Sequence, residues 1–171
     1  MKFVHAADIH LGYRQYNHPE RFKDFGVAFQ KIVNCAVEEN VKACLITGDL
    51  FHKSSVDPST LIQAENGLKR LQEHNIKTFA ISGNHDRPRY GQVKTWLDYL
   101  ASRELLVLLE TSEDRKFVVE GQSYIDLDGV RFIGMPWYGG STRIVLKAIV
   151  DELSHLSWSG IRYSVLMAHT G

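Results

Sequence analysis

The sequence predicts an α/β fold, a mixed β-sheet sandwich flanked by helices. Three observations carry that prediction. From the N-terminus to Ser102, strand-length apolar runs alternate with segments of helical periodicity, the pattern of parallel strands joined by crossover helices. Beyond Ser102 the strands crowd together and one pair is joined by a hairpin turn, so the second part of the sheet is not all parallel. The chain has 171 residues and is 44% hydrophobic, enough for one domain with its own core.

The elements follow in order. Phe3 to Ala7 is a short apolar strand. Phe22, Phe25, Phe29, Ile32, Val33 and Ala36 recur at helical spacing and predict a helix from Phe22 to Val37. Val41 to Thr47 is a compact apolar run, as expected of a buried parallel strand. Asp57-Pro58 is a helix start, an N-cap followed by proline at the first helical position. Leu61, Ala64, Leu68 and Leu71 mark one face of that helix. Ile76 to Ile81 is a third strand and Gln92 to Ser102 a further helix. Leu105 to Leu109, Lys116 to Val119, Tyr124 to Leu127 and Val130 to Met135 are expected strands. Asp128-Gly129 is a two-residue hairpin signal between the last two. Ser141 to Leu153 is expected to be helical and Arg162 to Ala168 to be a final buried strand.

Charge narrows the functional classes. Twenty basic residues balance twenty acidic ones for a formal net charge of +0, so affinity for a polyanion must come from local clusters or metal ions. Cys35 and Cys44 form no CxxC pair and sit among apolar neighbours, which predicts buried free thiols and a reducing compartment. No apolar run approaches the ~20 residues that span a bilayer, and no signal-peptide pattern precedes the first strand. A cytoplasmic location is expected, nucleoid-associated, or nuclear in a eukaryote.

The polar residues that follow the strands carry the chemistry. Asp8-Ile9-His10 comes after the first strand, Gly48-Asp49-Leu50-Phe51-His52 after the second, Gly83-Asn84-His85-Asp86 after the third, and His169 after the last. In an open α/β sheet the carboxyl ends of the strands meet along one edge, so residues distant in sequence can converge there. Asp8 and His10 are spaced to turn toward one ion, and Asp49 can bridge two ions through its two oxygens. Asn84 offers a neutral carbonyl oxygen and His169 an imidazole nitrogen. Oxygen and nitrogen ligands without thiolates suit manganese, iron or zinc rather than a closed structural zinc site. Gly48 and Gly83 allow tight turns where a Cβ would obstruct. Taken singly, Asp8 or Asp49 is commonly a cap or turn residue; it is the ordered set that is informative. His5, His74 and His155 lack a partner motif, and Asp86 is expected to brace its loop.

Asp8-x-His10, Gly48-Asp49, Gly83-Asn84-His85-Asp86 and a later His169 together resemble the calcineurin-like metallophosphoesterase signature. The segments Ala7 to Tyr13, Gly48 to His52 and Gly83 to Asp86 are further similar to the nuclease subunit of the double-strand-break repair complex, the meiotic-recombination-eleven and SbcD family, in an archaeal-type form. The likeness is close from Met1 to about Tyr99 and looser beyond. It implies a metallophosphoesterase-like sandwich over residues 1–171 and a two-metal DNA nuclease. Asp8, His10 and Asp49 would hold one ion, and Asp49, Asn84 and His169 the other, with manganese expected. His85 would contact the phosphate or protonate the leaving oxygen, and His52 would orient the phosphate. The family also has a late Gly-His-x-His motif and a DNA-capping domain, neither of which lies in this sequence; each metal site is therefore expected to be one ligand short.

For DNA contact the aromatic and polar loop residues Tyr13, Arg14, Gln15, Tyr16, Asn17 and His18 are candidates, as are Arg87, Arg89, Tyr90 and Lys94. The resemblance implies a homodimer through a four-helix bundle, with Leu61, Ile62, Leu97 and Ala101 as candidate interface residues. It also implies a partner ATPase of the structural-maintenance, ABC type. Two alternatives stay open at this point: a phosphodiesterase or phosphatase for small molecules or phosphoproteins, and an inactive fragment that keeps dimer and DNA-binding surfaces.

Overall fold

A computed structural model of the chain describes residues 1–88, 93–110 and 118–170. Four layers stack on one another. The first sheet contains β1 (Phe3–Ala6), β2 (Ala43–Thr47), β3 (Lys77–Ile81) and β4 (Val107–Leu108), in that order and all parallel. The second contains β5 (Tyr124–Leu127), β6 (Val130–Met135) and β7 (Tyr163–Ala168), with β5 antiparallel and β7 parallel to β6. Helices α1 (Pro19–Glu38), α2 (Pro58–Glu73) and α3 (Trp96–Ser102) pack against one outer side, and α4 (Thr142–Ser154) against the other.

The period-2 alternation of strand side chains sorts residues between these layers. Cys44, Ile46 and Ala80 face the helices with Phe29, Val33, Leu68 and Leu97. Their neighbours Ala43, Leu45, Phe79 and Ile81 turn the other way and meet Val130, Phe132 and Met167 between the sheets. Ile133 and Met135 pack on Val145 and Ile149 of α4. A strand buried on both faces must be apolar throughout, and β2 has all five residues buried. Burial pushes the Cys44 thiol up to about 12, so it stays protonated and inert.

Several expected boundaries are met. Asp57 caps α2 by accepting from the Thr60 amide at 3.1 Å, with Pro58 in the first turn. Asp128 and Gly129 both adopt left-handed φ values, 52° and 76°, as a primed hairpin turn requires. Other expectations are corrected. The helix expected from Gln92 begins at Trp96, because Thr95 and Asp98 form a reciprocal capping box there; Val93 is left exposed and Gln92 lies outside the described residues. Of Lys116 to Val119, the first two residues lie outside the described residues, and Val118 and Val119 belong to no strand. Of the Leu105 to Leu109 run, Val107–Leu108 pairs with β3 as a strand and the Leu109 amide donates to the Ala80 carbonyl at 2.8 Å. Cys35 is exposed, because α1 turns Phe29, Val33 and Ala36 inward and Cys35 points off that stripe. Among the described residues strand β7 pairs with β6 alone, and Met167 is buried while Tyr163 and Leu166 are exposed.

The contact of α1 with α2 depends on Gly67, where an added Cβ would overlap the Phe29 ring. Gly67→Ala should therefore destabilise by about 1–3 kcal/mol despite its gain in helix propensity, since overpacking outweighs it. Thermal unfolding checks this, and adding Phe29→Leu should recover part of the lost melting temperature. An unchanged or raised melting temperature in the single variant would refute the packing account.

Candidate metal centre

Because β1, β2 and β3 run parallel and side by side, their carboxyl ends open onto one rim. The loops leaving that rim are laced together by the backbone. The Asp8 amide donates to the Gly48 carbonyl at 3.2 Å, that of His10 to Asp49 at 2.9 Å, and that of His52 to Leu11 at 3.0 Å. Asp8, His10 and Asp49 all sit in the left-handed region, with φ of 54°, 50° and 54°. Non-glycine residues adopt it at a cost of about 1–3 kcal/mol each, tolerated where the surroundings enforce it and concentrated at functional sites.

Asp49 is the centre of the arrangement. Its side chain is 3% exposed, and its Oδ1 accepts the His85 amide at 2.9 Å. Its Oδ2 faces three imidazoles, with Nε2 of His169 at 3.7 Å, of His10 at 3.8 Å and of His85 at 4.0 Å. These separations are too long for hydrogen bonds and match atoms that share a cation. On one side, Asp8 Oδ1 lies 3.8 Å from His10 Nε2, completing a triangle of Asp8, His10 and Asp49. On the other, His169 Nε2 lies 3.2 Å from Asn84 Oδ1, completing a triangle of Asp49, Asn84 and His169.

The hydrogen bonds behind the rings decide which atoms are available. His169 Nδ1 donates to the Thr47 carbonyl at 2.9 Å, which leaves a lone pair on Nε2. That lone pair and the Asn84 oxygen are two acceptors facing each other, a placement that a cation would satisfy. Burial lowers the His10 pKa, with the Asp49 charge opposing and His85 assisting, so this ring is held neutral and able to ligate. The donor set thus fits divalent cations: two carboxylates, one amide oxygen and two imidazoles in two adjoining groups. The His85 Nδ1 donates to the His52 carbonyl at 2.7 Å, leaving Nε2 toward the site.

Both glycines are sterically required. A Cβ on Gly48 would overlap His169 Nδ1, and one on Gly83 would overlap Asp49 Oδ1. Asp86 is buried and braces the rim, accepting from the amides of Phe51 at 3.2 Å and Gly83 at 3.1 Å. Burial pushes its carboxyl up to about 6, against the pull of those two amides.

The rings of His10, His52 and His85 form a second group beside Asp49, with centroids 5.0–5.3 Å apart. Tyr13 lies tilted against His52, with ring centroids 3.9 Å apart, and so joins the loop expected to contact DNA to the site. Burial, followed by the neighbouring His10 and His85, lowers the His52 pKa. A cavity of about 440 Å³ opens next to these rings, lined among others by Tyr13, Arg14, Asn17, His52 and Lys53. Arg14, Tyr16, Asn17 and His18 are exposed and Gln15 is half-buried. Arg87 is committed to Trp137, lying 4.8 Å over its ring and donating to its carbonyl at 3.2 Å. Lys94 lines a smaller cavity with Arg87 and Asp86. Arg89 and Tyr90 lie outside the described residues.

The expected dimer residues divide. Ile62 is exposed, and Leu61 and Ala101 are half-buried against the core. Leu97 is 1% exposed among core residues and is withdrawn as an interface candidate, since α3 turns it inward. Sequence reasoning missed Thr47, whose contribution is a backbone carbonyl with no side-chain signal. It also missed Lys53, although a basic residue next to His52 was legible.

The calcineurin-like phosphoesterase family matches residues 1–170. Among relatives, the "DNA double-strand break repair protein Mre11" of Archaeoglobus fulgidus is 49% identical over 87 residues, which is 51% of this chain and 20% of that protein. The proteins of the same name from Sulfolobus acidocaldarius and Methanocaldococcus jannaschii are 30% and 31% identical over the whole of this chain. The chain spans 41% and 44% of their respective lengths. No helix among the described residues is long and apolar enough to cross a membrane. With a family match from end to end and ligand-type residues grouped at the strand ends, the chain belongs to the calcineurin-like phosphoesterase family.

Proposed function

We propose that residues 1–171 form the phosphoesterase domain of a two-metal DNA nuclease acting in double-strand-break repair. The observation that carries this reading is the buried Asp49 carboxylate, ringed by three imidazole nitrogens at 3.7–4.0 Å and flanked by Asp8 and Asn84. Asp8, His10 and Asp49 would hold one divalent ion, and Asp49, Asn84 and His169 the other; the oxygen and nitrogen donors are compatible with manganese, the ion the family resemblance implies. When bound, such a pair supplies a nucleophilic water at neutral pH and Lewis acidity at the phosphate.

The remaining chemistry belongs to side chains. His85 keeps its Nδ1–H bond to the His52 carbonyl in either charge state, so Nε2 is the atom that gains and loses a proton. As imidazolium it would donate there to the leaving oxygen. His52, tilted against Tyr13, would orient the phosphate, and Asp86 keeps the Gly83 and Phe51 amides in place. A DNA backbone would run along the exposed loop of Arg14, Tyr16, Asn17 and His18. Lys53 would add a cation beside His52. The exposed aromatic and basic loop favours a polynucleotide over a small phosphoester. Homodimerisation, with Leu61, Ile62 and Ala101 as its candidate contacts, and association with an ABC-type ATPase belong to the same proposal, as does an intracellular location.

Two measurements test it. Manganese at about a hundred times its Kd should stabilise the unaltered protein by about 2.7 kcal/mol for each site filled, and Asp49→Asn should abolish both that shift and the bound metal. An equal shift in the variant would remove Asp49 from the centre. His85→Asn should leave manganese content unchanged while lowering manganese-dependent DNA hydrolysis about 10²–10⁴-fold. Unimpaired hydrolysis would assign the proton transfer elsewhere.

A further inference from the structure

We propose that His10, His52 and His85 form an alternative cation position, sharing His10 with the carboxylate-lined pair, that selects zinc over manganese. Each of the three offers one ring nitrogen, and these atoms lie within 4.8 Å of one another. Nitrogens bound to tetrahedral zinc at about 2.0–2.1 Å stand roughly 3.4 Å apart, so the ring nitrogens need to close by at most about 1.4 Å. All three side chains are half-buried, which leaves room for that movement.

A separate observation points to a ligand. His10 Nδ1 and His52 Nδ1 are buried and have no hydrogen-bond partner, two of the five such side-chain atoms among the described residues. Buried polar atoms are nearly always satisfied, and two orphaned nitrogens in one cluster of three rings are unusual unless something binds there. The third ring is already oriented, since the bond from His85 Nδ1 to the His52 carbonyl fixes Nε2 as its coordinating atom and ties the two loops together.

The donor set determines the ion. Three imidazoles, with the Asp49 carboxylate bordering two of them, suit zinc and the other late first-row metals, whereas manganese and magnesium favour oxygen. Three histidines with a fourth position free is also the pattern of an open zinc site. Occupation withdraws His52 and His85 from a phosphate and competes for His10. Zinc would therefore act as an inhibitory cation at this rim. The inference stands on the three rings and does not require the two-metal reading.

The test measures metal content of the metal-stripped chain after equilibration with zinc alone or manganese alone, with cobalt as an optical reporter. Asp49→Asn should keep one equivalent of zinc, and its cobalt form should show the intense visible bands of four-coordinate cobalt. Adding His52→Gln should remove that equivalent and those bands. In the otherwise unaltered chain, His52→Gln should remove the cobalt bands of the three-imidazole position and leave manganese uptake unchanged. The proposal is overturned if His52→Gln leaves the zinc uptake and the cobalt spectrum of Asp49→Asn as they were. It is overturned equally if folded Asp49→Asn takes up no zinc. Retention of manganese by Asp49→Asn would instead refute the two-metal reading, whatever the zinc result.

Discussion

The rest of the rim is organised around one buried negative charge. Asp49 has almost no contact with solvent, and a carboxylate in that position needs partners, because removing a charge from water costs several kcal/mol. The fold supplies an amide to Oδ1 and only distant imidazoles to Oδ2. This is an unfinished coordination shell. It is not a completed salt-bridge network, and the neighbouring left-handed residues Asp8 and His10 add local strain. Placing strain and an under-partnered charge together lowers stability, and selection retains such features where binding offsets them.

The scaffold explains how the rim withstands this. A parallel sheet buried on both faces sends every β1–β3 exit to one side, and the laced amides of Asp8, His10 and His52 hold those exits together. His169 arrives from the other sheet, 122 residues beyond Thr47, and is locked by that residue's carbonyl. The site therefore straddles the seam between the sheets, and its geometry depends on the packing of Leu45, Phe79 and Ile81 against Phe132 and Met167. Gly48 and Gly83 are the narrow points of that seam. A methyl group at either position would separate the second-sheet histidine or the Asn84 loop from the carboxylate.

Much of this was legible in the sequence because it rests on side-chain type and periodicity. The β2 run, the Asp57-Pro58 start and the Asp128-Gly129 turn are local signals, and all are met in the structure. Asp8, His10, Asp49, Asn84 and His169 were legible as a set because each follows a strand. What failed depended on tertiary context. The helix expected from Gln92 is cut short by a capping box whose threonine and aspartate compete with a weak apolar pattern. The directions of Leu97 and Cys35 depend on which arc of a short or long helix meets the sheet, and apolar neighbours in sequence do not reveal it. Thr47 acts through its backbone, and the three-ring cluster of His10, His52 and His85 joins three loops whose approach no spacing rule describes.

Charge ties the site to its proposed substrate. A chain with formal net charge of +0 has no general attraction for DNA, and a rim carrying Asp8 and Asp49 would repel a phosphate. On the two-metal reading, two divalent ions bring four positive charges against those two carboxylates, and the local field changes sign. Exposed Arg14 and Lys53 then extend a positive path away from an attractive centre, where without cations they would flank a repulsive one. Cation and polyanion therefore bind with positive linkage, each strengthening the other.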